Sequence, residues 1–174
     1  MCIRDSSLDA HGDNLKEHLG ALWSGACWVA RTFELEHVNP AKHVQLGMRG
    51  PRNFKDQVGW FREAGARLIT MGEVRMKGIE AITAESLAIV RRDAEKLVLT
   101  VDYDVMDLGC APGLDEPYGL YVPELLHLMY EVGKAGVDSM AVGWIPAAEP
   151  GQFAIVILSL LYMLAGMIEG RELR

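Results

Sequence analysis

The stretch "LVLTVDYD", residues 97–104, decides how this chain folds. Leu97 to Val101 form an apolar, β-branched run, the signature of a strand buried on both faces of a parallel sheet. The run stops at Asp102-Tyr103-Asp104, and a spacing of two sends both carboxylates to one side. Far upstream, "SLDAHGDN", residues 7–14, repeats the pattern with Asp9, His11 and Asp13. A solvated acidic turn is the plain alternative for either motif alone. An EF-hand fails, because Asn14 stands where that loop needs Gly and Gly20 where it needs Glu. Open α/β sheets present ligands at the carboxyl ends of their strands, so two acidic motifs that each close a strand can meet at one point.

Four carboxylates and one imidazole then share a site. One divalent ion among four carboxylates leaves a charge of about −2, costly to bury, whereas two ions bring the set near neutrality. A binuclear site follows, and hard oxygen donors with little nitrogen suit manganese better than zinc. Cys27 and Cys110 lack the CxxC partners of a thiolate zinc site.

Working outward, strand and helix signals alternate, the mark of an α/β fold. Helices are expected around Asn14 to Leu22, over Ala26 to Glu36, Asn53 to Ala64, Ile82 to Ala94 with Thr83 as cap, Pro123 to Ala135 and Gln152 to Glu169. Strands are expected at His43 to Met48, Arg67 to Met71, Leu97 to Val101 and Ser139 to Val142, with a loop from Leu108 to Gly119. Trp28, Trp60 and Trp144 read as packing anchors, with Trp144 also a candidate pocket lining. His18, His37, His43 and His127 read as structural or surface residues.

At 174 residues and 50% hydrophobic content the chain suits one domain with a real core. A net charge of −7 without a basic run argues against nucleic-acid binding. Three Cys build no disulfide framework, which makes the cytoplasm the expected location. "MCIRDS", residues 1–6, has no apolar core for a signal peptide and reads as a non-native leader before residues 7–174. The run "FAIVILSLLYMLAGMI" holds 16 residues without a basic flank, short of the ~20 that a bilayer crossing needs, and reads as a packed helix rather than a membrane span.

"DAHGD" followed by "VDYDVMDLGCAPG", with "HVQLGMRGPRN" and "WFREAGARLITMGEV" between them, resembles the ureohydrolase superfamily of arginases, agmatinases and related amidinohydrolases, whose signatures are D-A-H-x-D and S-x-D-x-D-x-x-D-P-x-x-A-P-G. The resemblance implies a three-layer α/β/α fold with a mainly parallel sheet, two manganese ions per complete chain, and attack of a bridging hydroxide on a guanidinium carbon. It implies Asp9, His11, Asp13, Asp102 and Asp104 as metal ligands, catalytic roles for Asp104 and Asp107, with Asp107 behind the ligands, a small guanidino substrate, and a homo-oligomer, trimeric or hexameric. It also implies that 7–174 is the C-terminal part of a single domain whose N-terminal part, with a further His ligand, is absent from this chain, which alone is expected to be inactive.

Departures from the family pattern fall in the substrate pocket. Ser24 stands where a His is expected, Gly143 where a Glu holds the guanidinium, and Leu108 where a Pro follows Asp107; Pro146, Glu149 and Pro150 match in part. Asp115, Glu116 and Glu149, in predicted loops on the same side, are the candidates to replace the lost carboxylate. Two readings follow: an agmatinase-like manganese hydrolase of a guanidino or amidino C–N bond, or an inactive metal-binding relative with a structural or regulatory role.

Overall fold

The computed structural model describes residues 3–91, 96–110, 116–145 and 150–173. Five parallel strands, β1 (Ile3–Leu8), β2 (Val44–Met48), β3 (Arg67–Thr70), β4 (Lys96–Asp102) and β5 (Ser139–Gly143), form one sheet in the order β3-β2-β1-β4-β5. Four of them lie within a residue or two of their expected positions. β1 begins inside the six residues read as a leader, and Ile3 to Leu8 pair in register with Lys96 to Val101.

Helices α1 (Trp28–Phe33), α2 (Lys55–Glu63), α3 (Met71–Lys77), α4 (Ile79–Arg91), α5 (Val122–Ala135) and α6 (Pro150–Glu172) cover the sheet. Val44, Leu46 and Ile69 feed a large core with residues of α3 to α6, while Met48 joins Val29 and Phe61, from α1 and α2, in a smaller one. Val44, Leu46 and Met48 would share a face on a regular strand. An irregularity between Leu46 and Met48, at Gly47 with φ +115°, turns Met48 to the opposite side. A Cβ at Gly47 would also stand 2.8 Å from Asp9 O, so this position packs the strand against the Asp9 loop. Helices therefore sit on both faces, giving the α/β/α layers.

Two expectations are corrected. Asn14 to Leu22 is not helical but irregular, with only a His18–Ala21 bridge. The stretch lacks a continuous apolar stripe, and its Leu19 and Leu22 are exposed. Thr83 is no cap but lies buried inside α4, which starts four residues earlier, straight after Gly78 at φ +82°. The capping threonine is Thr70, whose Oγ1 accepts from Glu73 N at the start of the unforeseen α3.

α6 is longer than its apolar run suggested. Phe153–Glu172 is long and apolar enough by length and composition to cross a membrane. It packs closely along α5: a Cβ on Gly133 would meet Met163 O at 2.1 Å, and one on Gly166 would meet Tyr130 O at 2.1 Å. Its other flank leaves Ile157, Leu161, Leu164 and Ile168 about half exposed.

Candidate metal centre

Chain order reverses direction between β1 and β4: β2 and β3 extend the sheet one way, β5 the other. Ligand sites of open parallel sheets form at such a switch point, beyond the strand ends. The register Leu8–Val101 makes Asp9 and Asp102 the next residues on the two strands. Both motifs thus leave the sheet side by side.

Strand alternation does not extend through the first motif. β1 ends at Leu8 and the Asp9 to Asp13 segment bends, with Asp13 at φ +46°. The convergence comes from loop bonds rather than an extended strand: Leu46 O accepts from Asp9 N (2.9 Å), Ala10 O from Arg49 N (3.1 Å), and His11 O from Gln45 Nε2 (2.6 Å). On the other strand, Asp102 Oδ1 caps the turn of residues 103–105 by accepting from Asp104 N (3.0 Å).

Asp9, His11 and Asp104 offer ligand atoms within 4.8 Å of one another, and both carboxylates are buried. His11 Nδ1 lies 2.8 Å from Asp104 Oδ2 and 3.6 Å from Asp9 Oδ1. Ala10 N donates to Asp104 Oδ1 (2.9 Å) and His11 N to Asp9 Oδ1 (2.7 Å). Asp9 Oδ2 is buried without a hydrogen-bond partner among the described residues. Asp13 Oδ2 accepts from Trp28 Nε1 (3.1 Å), so Trp28 is a support of the site, not only a packing anchor.

The electrostatics describe a set of acids short of positive charge. Burial pushes the Asp9 carboxyl well above its usual value, with the neighbouring carboxylates adding to it against the His11 hydrogen bond. Burial likewise raises Asp13 to about 6, and burial with the Asp104 charge raises Asp102 to about 7. Burial opposes the His11 imidazolium, yet Asp104 and Asp9 outweigh it and raise His11 to about 10. Asp104 alone among these acids is held low: burial opposes its ionisation, but the His11 hydrogen bond and charge prevail. An orphaned buried oxygen and hard donors straining for a cation fit a divalent ion.

The remaining expected residues lie around this cluster. Asp107 does not reach it: its oxygens accept from Gly109 N, Tyr118 N and Gly119 N, which lowers its carboxyl and shapes the following loop. Ser24 donates to Cys27 Sγ (3.2 Å) and lines a groove with Trp28. Gly143 pairs with Asp102 across β4 and β5. Glu149 and Asp115 lie outside the described residues. Glu116 is buried, with Oε1 at 3.6 Å from His11 Nε2 and accepting from Arg52 Nε (2.9 Å).

Arg49 carried no sequence signal of its own beyond the family-like segment around it. Its Nη2 donates to Asp104 O (2.7 Å), Met106 O (2.8 Å) and Glu116 O (2.9 Å), and its Nε to Pro117 O (2.8 Å). One guanidinium ties the metal-site turn to the loop that follows it.

Residues 7–163 match the Arginase family. The guanidinopropionase of Pseudomonas aeruginosa is 33% identical over 110 residues, covering 63% of this chain and 34% of that protein. The formimidoylglutamase of Bacillus subtilis is 28% identical over 140 residues, 77% of this chain and 44% of that one. The crystal structure of the latter has the same fold, with a TM-score of 0.85 at 24% identity over 95% of this chain and 53% of the solved one. A formiminoglutamase of Trypanosoma cruzi solved with Mn2+ gives 0.81 at 16% identity, over 95% and 56%. The chain thus spans roughly a third to a half of these relatives' length. With the match to the family running through both acidic motifs, this chain belongs to the arginase family.

Proposed function

We propose that this chain carries the metal site of a manganese-dependent amidinohydrolase that cleaves a C–N bond of a guanidino or amidino compound, agmatinase-like, releasing urea or a related product. The observation that carries the reading is the buried Asp9, His11 and Asp104 cluster at the switch point, with Asp9 Oδ2 unpartnered. The relatives' names point to guanidino and formimidoyl substrates, and Mn2+ in the Trypanosoma cruzi structure supports the choice of metal.

Asp9, His11, Asp13, Asp102 and Asp104 would hold two manganese ions. When bound, such a pair lowers the pKa of water, supplies a nucleophile at neutral pH and orients it toward a planar carbon. The chain's own residues prepare the site. The Ala10 N–H holds Asp104 Oδ1 and leaves Oδ2 facing His11 Nδ1. Trp28 keeps Asp13 turned inward, and Asp107, from outside the cluster, fixes the loop beyond Asp104. Gly143, with no side chain, lies directly beside Asp102, where a Cβ would come within 3.2 Å of Oδ2. A homo-oligomer, trimer or hexamer, in the cytoplasm belongs to the same reading, and the half-exposed apolar flank of α6 supports the association.

The test is a panel assay of the native protein after manganese loading, with arginine, agmatine, 3-guanidinopropionate and formimidoylglutamate, reading urea or ammonia release. Turnover of one member, lost with chelator and in Asp104→Asn, is expected. Silence across the panel from protein with a full metal complement would overturn the reading.

A further inference from the structure

We propose that Glu116 is the positioning carboxylate of this site: from the loop after Asp107 it faces His11 Nε2 and turns Nδ1 toward Asp104 and Asp9. The inference rests on reading those three residues as metal ligands.

The two nitrogens of His11 look at different acids. Nδ1 lies 2.8 Å from Asp104 Oδ2, inside the cluster, whereas Nε2 is buried without a hydrogen bond among the described residues and has Glu116 Oε1 at 3.6 Å. An imidazole that presents Nδ1 to a metal carries its hydrogen on Nε2, and a carboxylate there fixes that tautomer and the ring's orientation. Glu116 falls outside the set whose ligand atoms cluster within 4.8 Å, so it supports the ring from the other nitrogen.

The fold builds a seat for this one side chain. Loop glutamates are ordinarily solvated, but Glu116 is 5% exposed. Its carboxylate lies against Gly50, at φ +78°, where a Cβ would stand 2.3 Å from Oε2. Arg52 Nε donates to Oε1 and supplies the charge that permits burial. The Arg49 bonds to Glu116 O and Asp104 O set the distance between the two acids that flank the His11 ring.

The experiment compares the full chain with Glu116→Gln and with Gly50→Ala, which unseats the carboxylate while keeping it. Manganese affinity is measured by titration calorimetry, and the tautomer and hydrogen bonding of the His11 ring by 15N NMR of the zinc-loaded, diamagnetic form. Glutamine preserves the volume and can still accept from Arg52, so chelator-treated Glu116→Gln should melt within a few degrees of the parent. We expect both variants to bind manganese about 10- to 100-fold more weakly, and the Nε2 proton resonance of the loaded form to move from its position in the parent. Manganese affinity within twofold of the parent, or an unchanged Nε2 resonance, would overturn the proposal. Unchanged metal affinity with a loss confined to guanidinium binding would also overturn it, in favour of direct substrate contact. A parent chain that binds no manganese defeats the metal-site reading itself, a result distinct from a parent that binds and a variant that does not differ.

Discussion

Gly143 stands opposite Asp102 on adjacent parallel strands, and a Cβ there would come within 3.2 Å of Asp102 Oδ2. A side chain added at this position therefore projects directly beside Asp102, one of the proposed ligands. A glutamate would place a carboxylate where a planar cation can meet it in a charge-assisted, two-point bond. Gly143→Glu is expected to raise kcat/KM of the native protein for agmatine by roughly tenfold or more, since contacts of this kind gain most in the transition state. Steady-state kinetics showing no change for agmatine would contradict the placement of the substrate beside Asp102.

The metal-free protein should lose stability as pH rises. A carboxyl whose folded pKa exceeds its unfolded value binds more protons when folded, so stability falls between the two values. Asp13, shifted from 3.8 to about 6, and Asp102, shifted from 3.8 to about 7, both act this way. His11, raised from 6.5 to about 10, continues the loss above neutrality as its proton leaves. Asp104, held below its usual value, opposes the trend only at acid pH. Melting curves in chelator should fall from pH 5 to pH 8, and manganese should reverse the order. A chelated protein more stable at pH 8 than at pH 5 would contradict the site's charge balance.

Arg49 should be worth more than a surface arginine. Its removal orphans carbonyls of Asp104, Met106, Glu116 and Pro117. Each lost bond from a charged donor costs about 1.5–3 kcal/mol in isolation, and with water entering this half-buried site Arg49→Ala should cost about 2–4 kcal/mol in total. Arg49→Lys should restore less than half of this, because a point ammonium cannot span four acceptors. Chemical denaturation checks both; an Arg49→Ala change under 0.5 kcal/mol would show the clamp to be incidental.

Legibility followed the range of each signal. The apolar runs of β2 and β4 are local and readable from the sequence, as are the two acidic motifs from which Asp9, His11 and Asp104 come together. The bend after Leu8 was not, because D-x-H-x-D spacing reads identically in a strand and in a loop pinned by Leu46 O and Gln45. α3 escaped notice because it follows β3 with no intervening turn, and Thr70 serves as both strand end and cap. Arg49 and Gly50 act through contacts between residues distant in sequence, so no local pattern announces them, and Glu116, named from the sequence as a replacement for the lost carboxylate, lies instead beside His11 Nε2.

The open flank of α6 should associate. Ile157, Leu161, Leu164 and Ile168 are 46%, 54%, 49% and 62% exposed, an apolar strip longer than single surface residues explain. Leu161→Lys with Ile168→Lys should reduce the sedimentation-average mass of the chain at micromolar concentration without lowering its melting temperature. A parent chain that sediments as a monodisperse monomer at all concentrations would contradict this.

The central claim is that Asp9, His11, Asp13, Asp102 and Asp104 form a site for manganese, and elemental analysis tests it most directly. Protein saturated with manganese and then desalted should retain the metal, up to two ions per chain, and Asp104→Asn should retain almost none, since it loses both a ligand oxygen and the charge facing His11 Nδ1. Folded parent protein that keeps no manganese, or an Asp104→Asn variant that keeps as much as the parent, would contradict the account.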